Sequence, residues 1–131
     1  MPIFTVESTY RLPIYRHRSY EAATPAEACQ LAINDDEWSD SKEDRDNSGE
    51  THITGIWKGR DSAYRTPPCA VPEQFREGLQ RKADHFDAML ALLKQVADPD
   101  VAALESDLRE HIDRMIDLGE AVLAGTADPA T

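Results

Sequence analysis

The segment Pro67-Pro68-Cys69-Ala70-Val71-Pro72 divides the chain into two halves that follow different hydrophobic periods. Proline lacks an amide hydrogen and fixes φ, so neither a strand ladder nor a helix interior can run through it. Before the break, apolar residues mostly alternate; after it, they recur every three or four positions. The expected class is therefore α+β: a small three-stranded antiparallel or mixed sheet with one packed helix, followed by a long antiparallel helical hairpin. The corresponding divisions are a β-β-α-β module over residues 1–59, a proline-rich connector over 60–71 and the hairpin over 72–124. A tail over 125–131 has nothing to bury and is expected to be disordered. At 131 residues these pieces are expected to make one compact domain overall, large enough to bury roughly two-thirds of its unfolded surface.

Within the first half, Phe4, Val6 and Tyr10 alternate with Thr5, Glu7 and Thr9, the period of a half-buried strand. Pro13 interrupts, and a second extended segment over Ile14 to Ala22 is expected to fold back on the first as a hairpin. Thr24-Pro25-Ala26-Glu27 places a hydroxyl at the N-cap, proline at the first helical position and glutamate at the third. That predicts a helix to about Asn34, with Ala28, Leu31 and Ala32 inward. Thr51 to Lys58 reads as the third strand, with Ile53 and Trp57 on one face and Ile56 on the other.

In the second half, Phe75, Leu79, Ala83, Phe86, Leu90, Leu93 and Ala97 form one apolar stripe. Val101, Leu104, Leu108, Ile112, Met115 and Val122 form a second, and the short connection Asp98-Pro99-Asp100 makes the helices antiparallel neighbours. The hairpin either covers the sheet or projects. If it projects, Phe86, Leu90, Leu108 and Met115 stay partly exposed unless a second copy joins in a symmetric four-helix interface, which makes a homodimer through the hairpin an expected partner arrangement.

Charge then narrows the function. The net charge is −11, and it is segregated: residues 35 to 59 carry −5 and residues 98 to 131 carry −7, while the two remaining segments carry 0 and +1. An acidic chain is a poor direct ligand for nucleic acid or an anionic membrane, so a basic protein partner is expected instead. The longest apolar run, Ala88 to Leu93, is too short to span a bilayer, and no signal-peptide core is evident. Two cysteines do not make a disulfide framework, and a cytoplasmic location follows.

Several constellations carry candidate chemistry. Asp44-Arg45-Asp46-Asn47-Ser48-Gly49 resembles the opening of a calcium loop, yet the twelfth position is Gly55 and a strand follows. Tyr10, Arg11, Tyr15, Arg16, His17, Arg18 and Tyr20 form a basic and aromatic cluster, expected to pair with the acidic loop or the last helix. The histidines, His17, His52, His85 and His111, lack the Glu-x-x-His spacing of a helical metal site, so no metal and no cofactor is expected. Cys69 precedes a helix start without a neighbouring base. No phosphate loop, nucleophile elbow or zinc-protease motif occurs, and a non-enzymatic role is expected.

On the last helix Glu110, Asp113, Asp117 and Glu120 step by three, four and three, which lines them along one face over about 15 Å. That is about one charge per 5 Å, comparable with one phosphate per about 3.4 Å of a DNA strand. The leading expectation is a protein-binding, inhibitory protein that mimics nucleic acid, as small inhibitors from mobile genetic elements do, and blocks a basic nucleic-acid-binding partner. Its contact residues would be Asp35, Asp36, Glu37, Asp40, Glu43, Asp44 and Asp46 in the loop, Trp38 as the aromatic anchor, and Glu110, Asp113, Asp117 and Glu120 on the helix. Two alternatives stay open: a cation-dependent structural module built on the acidic loop, and a small enzyme using Cys69 or a histidine.

Overall fold

A computed structural model describes residues 1–98 and 105–130, with only the backbone of 105 and 106. Glu7 sits opposite Gly55 and Ser8 opposite Ile53, so Thr54 is an extra residue in an antiparallel ladder between β1 (Phe4–Thr9) and β4 (His52–Lys58). A bulge of this kind shifts the alternation by one residue. His52, Gly55 and Trp57 are buried and Ile53 is half-buried, in place of the even two-residue period that the sequence suggests.

The single three-stranded sheet is corrected. The fold is α+β with two separate two-stranded antiparallel sheets, β1 with β4, and β2 (Ile14–Tyr15) with β3 (Lys42–Glu43). The physical reason lies at Pro13: without an amide hydrogen it cannot extend a β1 hairpin, and its carbonyl accepts from Asp44 N at 2.9 Å. Arg11 O likewise accepts from Gly49 N at 2.7 Å. The backbone after β1 thus pairs with the acidic segment, which sequence periodicity leaves as loop.

The described chain divides into two units, Met1–Thr9 with Glu50–Thr131, and Tyr10–Gly49. The second holds β2, α1 (Pro25–Asn34) and β3. Helix α1 starts where the sequence places it: Thr24 Oγ1 accepts from Glu27 N at 3.2 Å, and Glu27 Oε2 accepts from Ala23 N at 3.3 Å. Ala28 and Ala32 are half-buried, whereas Leu31 remains exposed.

The first unit holds the β1–β4 sheet, α2 (Gly78–Ala97) and α3 (Glu105–Ala124). Helix α2 begins six residues beyond Pro72, because Arg76 and Glu77 are extended and Glu73–Phe75 forms a separate 3₁₀ turn. Its N-terminus has no cap from Glu77; the Glu50 carboxylate accepts from Gly78 N instead. The expected connection Asp98-Pro99-Asp100, together with Val101 and Leu104, lies outside the described residues apart from Asp98. The start of α2 meets the end of α3: Arg81, only 4 % exposed, donates to Thr126 O at 2.6 Å and Asp128 Oδ1 at 3.1 Å. The C-terminal tail is held by this polar contact although it has no large apolar residue to bury.

Burial is thin. Trp57, Leu92, Ala121 and Val122 are the buried apolar residues among those described.

Candidate functional site

The acidic loop lies in the unit Tyr10–Gly49, and most of its acids already serve the fold. Arg16 is the organiser. Its guanidinium donates to Ala32 O at 2.9 Å, to Asp35 O at 2.6 Å and to Glu37 O, closing the carbonyl end of α1. The same group lies 3.9 Å over the ring of Trp38. Trp38 therefore has one face occupied and is half-exposed.

Asp35 accepts on Oδ2 from Tyr20 OH at 2.7 Å and Arg18 Nη1 at 2.9 Å, and on Oδ1 from Glu37 N at 3.1 Å. These donors, the Tyr20 hydroxyl first, hold its carboxyl at about 2. Hydrogen bonding from the Arg18 guanidinium also lowers Asp40, whose oxygens lie 3.3 and 3.4 Å from Arg18 nitrogens. Glu37 is lowered by its hydrogen bonds from Ser39, whose amide donates to Oε1 at 2.9 Å. Glu43 pairs with Arg45 at 3.2 Å. Asp36 and Asp46 are exposed. Arg16, Arg18 and Tyr20 of the basic and aromatic cluster thus meet the acidic loop, one of the two pairings the sequence suggested.

Asp44 caps a 3₁₀ turn over Arg45–Asn47. Its carboxylate accepts from Asp46 N at 3.2 Å, Asn47 N at 3.3 Å and Asn47 Nδ2 at 2.7 Å. These three donors occupy most of the roughly four acceptor sites of the carboxylate. Among the described residues, no group of three or more His, Cys, Asp or Glu side chains is arranged to hold a metal.

Glu110, Asp113, Asp117 and Glu120 lie in the other unit, all exposed along α3. Among the described residues none of the four takes part in an ion pair, in contrast to Asp35, Asp40 and Glu43. Among the described residues this row of acids has no ion-pair partner on its helix face.

Two features escape sequence reading. At the bulge, Glu7 accepts from Thr54 Oγ1 at 2.5 Å and from Tyr64 OH at 2.5 Å, which lowers the carboxyl and raises the phenol. Tyr64 has φ 62°, in the left-handed region, and its ring centroid lies 4.8 Å from that of buried Trp57. The Glu7 carboxylate between two hydroxyl donors fastens the loop after β4 to the sheet. The interior glycine in Thr54-Gly55-Ile56-Trp57 is the one sequence signal for the close approach, since a strand glycine often marks a bulge.

The second is an apolar groove of about 680 Å³ between α2 and α3, lined by Phe86, Met89 and Leu93 on one helix and Ile112, Ile116 and Leu123 on the other. At one end His85 packs on Gly119, where a Cβ would lie 2.7 Å from Nε2. Phe86 and Leu90 are exposed and Leu108 and Met115 half-buried. Cys69 is half-buried and unpaired, and its amide donates to Ile56 O at 2.8 Å. No described helix is long and apolar enough to cross a membrane. Comparison with protein-family models, curated proteins and solved structures finds no match to the chain.

Proposed function

We propose that the protein is a small acidic binding protein without enzymatic activity, which occupies the nucleic-acid-binding surface of a basic protein in the cytoplasm. One observation carries the reading: Glu110, Asp113, Asp117 and Glu120 are exposed on α3 without ion-pair partners among the described residues, whereas most loop acids are spent inside their own unit. Four like charges in a row raise the free energy of an isolated helix by about 0.2–0.5 kcal/mol per neighbouring pair. A cationic surface removes that repulsion on binding, and the spacing of about 5 Å is close enough to a phosphate strand for the same cations to engage it. In this reading the acidic loop is chiefly scaffold, with Asp36, Asp46 and half-exposed Trp38 as its contact groups.

The test is affinity capture from the native host at low salt, with the wild-type chain and a Glu110→Lys/Asp113→Lys/Asp117→Lys variant as paired baits. A basic protein retained in stoichiometric amount and released as salt rises is the expected result. At about 0.5–1 kcal/mol for each lost charge contact, reversal weakens its binding by at least about tenfold. Equal retention by both baits removes α3 from the interaction, and an empty wild-type bait removes the reading.

A further inference from the structure

We infer that the groove between α2 and α3 is the seat of a second copy of this chain, so that two helical pairs close into a four-helix bundle. The inference does not depend on the proposed function. Phe86, Leu93, Ile116 and Leu123 along the groove are 63, 59, 53 and 77 % exposed, while Leu92 and Val122 in the same groove are buried. Projecting side chains and a trough thus lie on one surface, as a two-fold interface requires, because there each patch meets its own copy. From Lys82 to Val96 the groove runs about 20 Å along α2, long enough for several turns of a facing helix.

Charge distinguishes a second copy from the basic partner. The groove rim carries Lys82 on α2 and Glu120 on α3, one residue of each sign, so a two-fold arrangement can set each against its opposite. At 3.6 residues per turn, the acidic row centres about 110° around α3 from Ile112, Ile116, Gly119 and Leu123. A dimer closed over the groove therefore leaves Glu110, Asp113 and Asp117 outside, with Glu120 alone of the row at its rim, and the like charges of two copies do not meet face to face.

Sedimentation velocity and equilibrium on the full chain test the inference. The wild type is expected at twice 14.6 kDa in the micromolar range. Ile116→Glu and Leu123→Glu alter residues already exposed in the protomer, so each should keep its far-UV circular dichroism and its Trp57 fluorescence. Each change acts twice in a two-fold interface and should raise the dimer dissociation constant at least about tenfold. Ile33→Glu, an equally drastic change on exposed α1, should leave the mass unaltered. A wild type that stays monomeric to about 100 µM overturns the inference. So does native mass spectrometry that finds a monomer carrying an apolar small molecule, a folded Ile116→Glu dimer of unchanged affinity, or dissociation by Ile33→Glu.

Discussion

Replacing Arg16 by alanine should unfold the unit Tyr10–Gly49 while leaving the β1–β4 sheet in place. The Arg16 side chain is 6 % exposed and donates to the carbonyls of Ala32, Asp35 and Glu37. A hydrogen bond from a charged donor contributes about 1.5–3 kcal/mol, but water can reach carbonyls at a helix end, so about 1 kcal/mol each is the fitting figure. Stacking on half-exposed Trp38 adds about 0.5–1 kcal/mol. The expected loss is therefore about 3–4 kcal/mol. Ordinary stabilities of about 0.05–0.15 kcal/mol per residue give a unit of this length only about 2–6 kcal/mol in all. Hydrogen exchange read by mass spectrometry is the assay: peptides from residues 10–49 should exchange near the unfolded rate in Arg16→Ala, with β1 and β4 peptides as protected as in the wild type. Arg16→Lys keeps the charge without the fork that reaches three carbonyls, and should recover a minor part. Wild-type protection throughout residues 10–49 in Arg16→Ala would refute the assignment of Arg16 as organiser.

Two further outcomes follow from the same contacts. The folded Asp35 carboxyl ionises at about 2 instead of the usual 3.8, so it binds its proton more weakly than in the unfolded chain. Its stabilisation is full above pH of about 4 and is lost as pH falls toward 2. Trp38 fluorescence should report unfolding of this unit in that window, and Asp35→Asn should be less stable at neutral pH with a flatter acid profile; an unchanged profile would show that another group governs it. At Gly55 an added Cβ would overlap the indole of Trp57, a buried ring without room to retreat. Gly55→Ala should destabilise the sheet unit by about 1–3 kcal/mol, read as a lower urea midpoint with an unchanged slope. A neutral substitution would mean that the ring does not lie over Gly55.

The parts of the fold that were legible in the sequence are those set by neighbours in the chain. Thr24, Pro25 and Glu27 cap α1 through contacts within four residues, and the inward face of α3 with Leu108, Ile112, Met115 and Val122 follows from helical period; α2 instead buries Arg81 and Leu92 and leaves Leu79, Phe86, Leu90 and Leu93 of its apolar stripe exposed. Pairing between strands was not legible, because it depends on which distant backbone groups remain free. Pro13 cannot continue a hairpin with β1, and the carbonyls of Arg11 and Pro13 instead accept from the amides of Gly49 and Asp44. The bulge at Thr54 was hidden for a related reason: one extra residue changes which side chains are buried without changing composition.

The same distinction governs the acids. Local density marks the loop Asp35–Asp46 and the helix row Glu110–Glu120 alike, yet the two have opposite roles in the fold. Arg16 and Arg18 lie about twenty residues before the loop acids they engage, so only tertiary structure shows that Asp35 and Asp40 are occupied. The helix row has no such partner among the described residues, and exposure is what its i, i+3, i+7 spacing on an amphipathic helix requires. Net charge therefore overstates what is available for binding. Loop acids closing ion pairs contribute to folding, while acids on α3 contribute a field directed at solvent. A partner selected by electrostatics should consequently depend far more on Asp113 and Asp117 than on Asp35 and Asp40, although all four carry the same charge.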